Sequence, residues 1–236
     1  MKNLSRTIVS LIVLIIASLT FSQGFFSEEF GGIGGVDIGA KWMDVSELNK
    51  MLKKNKLPEL SGPAFLAGGG GYALLGKVLY GGEGYGIYML EKADEYTLKL
   101  DVGYGLFDIG YLIYAKQALR IYGIGGVGFG GMKFNISKDP TSKKFDDLLT
   151  NYWENSFESG VIPIFKIGAG ADYILAPKGS SSTGGLAIGI SAGYVFAPFD
   201  PIGGWELSDT SVSNVPKFGP TGPYITIKIG GGAFVF

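Results

Sequence analysis

The sequence contains no cysteine and no histidine. Without cysteine there is no disulfide and no thiolate metal site. Without histidine, Ser-His-Asp and Cys-His catalysis and His-ligated metal chemistry are excluded together. Proline is sparse, at 10 residues, and no G-X-Y period is present, so the chain is neither collagen nor a Pro-rich linker. Long apolar runs are missing too, apart from Ile8 to Leu19. That run is shorter than the about 20 residues of a helical membrane span. It follows Lys2 and Arg6 and precedes Thr20-Phe21-Ser22, a pattern that reads as a cleaved signal peptide over residues 1–22. The remainder, 23–236, carries 18 basic and 21 acidic side chains, a net charge of −3. Such a balance leaves no electrostatic footprint for nucleic acid.

Glycine is abundant instead: 40 residues, about 17 per cent, against a usual ~7 per cent. It is interleaved with β-branched and aromatic residues. From residue 32 onward eight stretches read as strands: 32–43, 64–75, 78–90, 96–114, 119–136, 159–175, 184–196 and 224–236. Gly76-Lys77 joins the second to the third and suits a type II′ turn. The connectors alternate in length. Residues 44–63, 91–95, 137–158 and 197–223 form one set; 76–77, 115–118 and 176–183 form a shorter set. An up-and-down meander with its long loops at one end gives this alternation, as in outer-membrane barrels with an even strand number from eight upward.

The strand faces carry the same message. In the first stretch Val36, Ile38, Ala40 and Trp42 oppose Asp37, Gly39 and Lys41. In the fourth, Leu98, Leu100, Val102 and Tyr104 oppose Lys99, Asp101, Gly103 and Gly105. In the seventh, Leu186, Ile188, Ile190, Ala192, Tyr194 and Phe196 oppose Ala187, Gly189, Ser191 and Gly193. In the last, Ile225, Ile227 and Ile229 oppose Thr226, Lys228 and Gly230. A soluble sheet places Lys, Glu and Thr on its wet face, because Gly is poor in strands. A face of glycine plus a few charges suits the narrow interior of an eight-stranded barrel. The apolar faces then meet lipid, and closure satisfies every backbone group. Two places break the period: Phe107-Asp108, and Gly230 to Gly232. Both are bulge candidates, since one extra residue exchanges the faces.

On this assignment Asp37, Lys41, Glu83, Lys99, Asp101, Arg120, Lys166, Asp172 and Lys228 point inward as a mutually neutralising lumen network. Charges facing lipid cost about 2–4 kcal/mol for Lys or Arg at mid-depth. Trp42, Tyr194, Phe196 and Tyr224 are expected at the outer rim, and Tyr80, Tyr111, Tyr173 and Phe234 at the inner rim.

Two long connectors carry helical patterns. In 44–58, Asp44 and Glu47 have capping-box spacing, and Val45, Leu48, Met51 and Leu52 form a stripe opposite Lys50, Lys53, Lys54 and Lys56. In 142–153, Phe145, Leu148, Leu149, Tyr152 and Trp153 form a second stripe, with Asp146, Asp147 and Glu154 on the polar side. One helix is basic and the other acidic, so they are expected to pair over the outer mouth or to fold against the rim. Their outer surface is a possible docking site for another envelope component. The last connector, 200–222, is rich in turn residues and reads as partly mobile, with Trp205 and Phe218 as anchors.

No catalytic grouping stands out. GIGGVG (123–128) matches G-x-G-x-x-G, but strand-like sequence continues beyond it and no helix start follows. GGGGY (68–72) and GGEGYG (81–86) lack the Lys-Ser/Thr of a phosphate loop. No cofactor or metal is expected, and no enzymatic role.

An eight-strand pattern after a signal peptide, closing on Phe234 and Phe236, resembles the small outer-membrane β-barrels of the OmpA transmembrane-domain and OmpX kind. The resemblance is one of pattern and covers nearly all of 23–236. It implies outer-membrane lipid as the surroundings. It also implies recognition of the C-terminal aromatic strand, through Phe234 and Phe236, by the barrel-assembly machinery. Counting back by twos from Phe234 gives Gly232, Gly230 and Lys228, which departs from the apolar run of that signal. The expected fold is therefore all-β: an eight-stranded antiparallel up-and-down transmembrane β-barrel over 23–236, with two short helices in the long external loops. The expected role is structural or loop-presenting, with a plugged lumen. The alternatives are a narrow pore for small solutes, or a soluble secreted barrel holding an apolar ligand.

Overall fold

The computed structural model describes residues 30–138, 153–175, 183–198 and 200–235. The signal-peptide reading of 1–22, the start of the mature chain, Phe236 and most of the second helical pattern, including Phe145, Leu148, Leu149 and Tyr152, lie outside them. Strand follows strand: β1 (Phe30–Lys41), β2 (Ala64–Leu75), β3 (Val78–Ala93), β4 (Tyr96–Lys116), β5 (Leu119–Lys138), β6 (Glu154–Leu175), β7 (Thr183–Phe196), β8 (Ile202–Leu207), β9 (Thr210–Val212) and β10 (Gly222–Val235). One helix, α1 (Ser46–Lys54), follows β1 among the described residues.

Eight of these strands form an antiparallel ring. Each neighbour pairs in turn from β1 to β7, β7 pairs with β10, and β10 closes on β1 from Lys41↔Tyr224 to Phe30↔Val235. The eight stretches expected from the period of two are the eight ring strands, with ends shifted by a few residues. Gly76 takes φ 63, the positive value that the first position of a II′ turn requires.

The ring is uneven in height. β4, β5 and β6 run 21, 20 and 22 residues, whereas β1 and β2 run 12 each. The long strands stand as a wall beyond the outer ends of their shorter partners. There β6 changes neighbour: its inner half pairs with β7 and its outer half, Phe157 to Val161, with β8. β8 and β9 form a hairpin through Ser208 and Asp209, at φ 48 and 63. The connector read as partly mobile therefore holds an added two-stranded extension of the wall. Its short strands sit among Gly and Pro residues, which hid them. The two expected anchors do meet: Trp205 stacks on Phe218 at 5.0 Å.

Neither expected bulge forms. β4 pairs without a break past Phe107-Asp108, and its one irregularity lies between Leu112 and Tyr114. β10 pairs with β1 without a break through Gly230 to Gly232. Alternation therefore runs on through both places. Asp108 points inward, and so does Phe234, which is fully buried rather than part of an inner rim. Tyr224 shares the inward face with Thr226 and is likewise removed from the outer rim. Trp42, Tyr194, Phe196, Tyr111 and Tyr173 do face outward.

The largest correction concerns β4. Leu98, Leu100, Val102 and Tyr104 are buried inside the ring, and Lys99 and Asp101 lie on its outer face. The cause is height. Low on the wall the outward set is apolar: Phe107, Tyr111 and Ile113. Above the level of the short strands the wall is free to turn polar side chains outward and an apolar face inward. That inward face is covered by α1 and the connector before β10.

α1 is too short to persist alone in water. It is held by burial of Leu48 and Leu52 against Phe134, Ile136, Trp205 and their neighbours. Met51 stays exposed, as does Trp153 before β6. The capping box does not form. Val45 is the N-cap and makes no side-chain cap, while Asp44 Oδ1 accepts from the Ser46 N–H at 3.2 Å and the Ser46 hydroxyl at 2.7 Å. Glu47 turns to Lys50 at 2.6 Å and raises the Lys50 pKa by that hydrogen bond. The C-terminus is closed by Leu57 N–H to Leu52 O and Lys56 N–H to Lys53 O, a Schellman pattern with Lys56 at φ 58.

Candidate functional site

The lumen is the candidate site, because the alternation of every ring strand delivers side chains to it. Of the nine charges expected there, seven arrive: Asp37, Lys41, Glu83, Arg120, Lys166, Asp172 and Lys228. Lys99 and Asp101 do not, for the reason of height given above. Asp108 joins them instead. Among the described residues four acids thus face four bases, a formally neutral set.

The charges are arranged in depth. Lys41 sits at the outer end, its ammonium donating to Gly222 O at 3.1 Å and lying 5.9 Å from the centre of the Tyr224 ring. In the middle, Lys166 pairs with Glu83 and, at 3.1 Å, with Asp108. Lys228 stands 4.0 Å from Asp37 and 5.8 Å from the Tyr72 ring centre. Tyr85 donates toward Asp37 at 3.3 Å and Glu83 at 3.2 Å, and Tyr72 donates to Asp172. Ser191 and Thr226 share a hydrogen bond of 2.7 Å. At the inner end Arg120 lies opposite Asp172 in the β5–β6 register. Its guanidinium donates to Gln117 O at 2.6 Å and stacks 4.6 Å above Phe234.

Glycine makes this crowding possible. A Cβ at Gly189 or Gly126 would collide with the carboxylates of Asp172 and Asp108, and one at Gly170 with the Tyr122 ring. The tyrosines are what the sequence reading missed. Tyr72, Tyr85, Tyr104, Tyr122 and Tyr224 all face inward and are buried. For Tyr72, Tyr85, Tyr122 and Tyr224 the signal was available, since each shares its phase with glycine or charge positions of its strand; Tyr104 shares its phase with the leucines of β4 and gave no such signal.

Two apolar layers bracket the polar one. Inward of it lie Ile33, Leu74, Leu79, Leu112, Ile174 and Phe234, with the buried Arg120 guanidinium over the Phe234 ring among them. Outward lie Leu66, Ile87, Leu98, Leu100, Phe134 and Ile164, with α1 and Trp205 above them. The void left inside the polar layer is about 20 Å³, lined by Glu83, Asp108, Lys166 and Lys228 among others. That is room for about one water molecule. The outer mouth holds a recess of about 330 Å³ beside Asp44, Asp200 and Lys217, and an apolar one of about 210 Å³ between α1 and the β8–β9 hairpin. Among the described residues no group of three or more Asp or Glu side chains is placed to hold a metal ion.

No protein-family model matches the chain, and no curated protein matches it. Among solved structures the chain is similar to Ail, the attachment invasion locus protein of Yersinia pestis, solved with the heparin analogue sucrose octasulfate. The two share 12% identity over 87% of this chain and 97% of that one, with a TM-score of 0.38. It is also similar to Neisserial surface protein A, at 9% identity over 89% of this chain and 99% of that one, with a TM-score of 0.37.

Proposed function

We propose that the chain is a lipid-embedded outer-membrane β-barrel with a closed lumen, whose role is structural and loop-presenting. The observation that carries this reading is the order of layers in the lumen: apolar, charge-paired, apolar, with a void of about 20 Å³. A path for solutes needs a continuous wet passage, and these layers interrupt it twice.

The outer surface supports the location. Val36, Ile38, Ile188, Ile190, Ile225, Ile227 and Ile229 are each 40% exposed or more. In water such a band is an aggregation hazard; in hydrocarbon it is solvated. The same band weighs against a soluble barrel that holds an apolar ligand, because the apolar face points out and the charges point in. The work of the molecule then falls to the outer end, where α1, the β8–β9 hairpin and the β4–β6 wall present a mixed surface to a partner of the envelope or beyond it. Assembly through the C-terminal strand is part of the same reading; there Phe234 acts as a lumen plug under Arg120.

Planar-bilayer recording tests the closed lumen. The purified barrel is expected to give no unitary conductance above baseline. Reproducible steps at the single-channel level, lost on boiling the protein, would reverse the reading in favour of a pore.

A further inference from the structure

The outer surface of the barrel is not uniform. On β10 and β7, Ile225, Ile227, Ile229, Ile188 and Ile190 face out. Across the ring, toward the outer end of β3, β4 and β5, five outward positions carry no side chain. Gly86, Gly103 and Gly131 occupy one row of the ladder, and Gly84 and Gly105 the next.

Packing within the chain does not require these five glycines. Many glycines of this barrel are obligatory: a Cβ at Gly70 or Gly128 would collide with a neighbouring backbone carbonyl. The outward five differ, as do Gly34 and Gly231 on β1 and β10 and Gly123 and Gly125 on β5. A Cβ on Gly103 would meet nothing within 4 Å, and on Gly84, Gly86, Gly105 and Gly131 it would meet its first atom at 3.7–3.9 Å. Each glycine weakens its strand and gives up an apolar contact with lipid. The result is a shallow hollow of bare backbone, flanked by Phe107, Phe129 and Tyr88, which are 54%, 62% and 41% exposed.

Above the hollow the face turns polar and carries both signs. Asp101, Lys133 and Glu158 lie in one cross-strand row, with Lys99 two residues up β4. Lys133 pairs with Glu158 at 2.8 Å, and Asp101 has no ion-pair partner among the described residues. A recess of about 290 Å³ opens here between Asp101, Gly103, Gly131, Lys133 and Glu158. β5 against β6 and β6 against β8 both shift register beside it.

We infer that this face is the contact for a second copy of the chain in the plane of the membrane; the inference rests on the lipid-embedded reading above. In lipid, association is driven by close packing rather than by a hydrophobic difference, and small residues let backbones approach. A two-fold contact pairs residue i with j and j with i. The face is complementary to itself on two counts. Phe107 and Phe129 are knobs beside a hollow of matching outward position, so each copy fills the other's glycine surface. Lys99 and Asp101 sit about 7 Å apart on one strand face, so each copy offers the other's counter-charge.

The absence of native cysteine makes the test clean. Gly103→Cys is compared with Ile190→Cys on the opposite wall, each in the full-length chain folded into vesicles and oxidised at increasing lipid dilution. Gly103→Cys is expected to form disulfide-linked dimer at least ten-fold faster, with a rate that resists dilution. Adding Gly84→Leu and Gly105→Leu, for which the fold has room, is expected to lower that rate at least ten-fold while the heat-dependent gel shift of the folded barrel stays. Equal rates at the two cysteines, falling together on dilution, would overturn the interface. Loss of vesicle partition and of the gel shift in the unsubstituted chain would instead overturn the lipid-embedded reading, and the interface with it.

Discussion

Lys166 stands between Glu83 and Asp108, and the neighbouring base Lys228 faces Asp37 instead. Removing one partner of a buried ion pair leaves an uncompensated charge, at a cost of about 3–5 kcal/mol. Lys166→Met is therefore expected to lower unfolding free energy by about 3 kcal/mol in a urea titration of the barrel in detergent. Lys99→Ala and Asp101→Ala, on the outer face, are expected to stay within about 0.5 kcal/mol of the parent. Equal losses at all three positions would show that burial does not decide the cost. This contrast also marks how far single residues could be read from the sequence. Asp37, Lys41 and Lys228 were legible because glycine and charge alternate with isoleucine around them. Lys99 and Asp101 were misplaced because one rule, apolar outward, was carried past the height at which the wall leaves its short neighbours. Asp108 was missed because Leu98 to Tyr104 were assigned outward; the plain period of two puts Asp108 on their face, and the structure turns that whole face inward.

At the scale of elements, α1 is a lid fixed by few contacts. Leu48 and Leu52 are its buried side chains, and Asn49 ties it to the chain beyond by donating to Leu60 O at 2.8 Å and accepting from the Leu60 N–H at 2.9 Å. Leu52→Ala removes a side chain that is 3% exposed, a change that costs about 2–5 kcal/mol in a close-packed core. Because α1 lies outside the closed strand ladder, that loss is expected to appear as faster protease cleavage of the 43–63 connector, with the gel shift of the ring unchanged. A ring destabilised along with the helix would show that the lid is part of the barrel's cooperative unit. The expected pairing of α1 with the 142–153 pattern is checked by cysteines at Met51 and Leu149, with disulfide formation as the predicted result and no link there or at adjacent positions as the contrary one. Ring strands were legible to within a few residues because period and turn chemistry agree. The β8–β9 hairpin was not, because its short strands carry glycine and sit between prolines, and only pairing with the outer half of β6 gives them a register.

For the whole molecule, closure does two jobs. It pairs every ring strand on both sides, and it divides the side chains into an outward apolar set and an inward charged one. That division was visible in the sequence as isoleucine against glycine. The apolar clusters above and below the charged layer were not, because they depend on strand height and on which connectors fold back over the mouth. A lipid-embedded ring of this kind resists detergent until it is heated. The decisive measurement is therefore membrane fractionation of the full-length protein, with the outer-membrane fraction run on a denaturing gel unboiled and boiled. Recovery in that fraction, with an unboiled band that migrates apart from the boiled one, is the predicted result. Recovery as a soluble protein with a single mobility would contradict it, and the outward isoleucines would then have to be covered by something other than lipid.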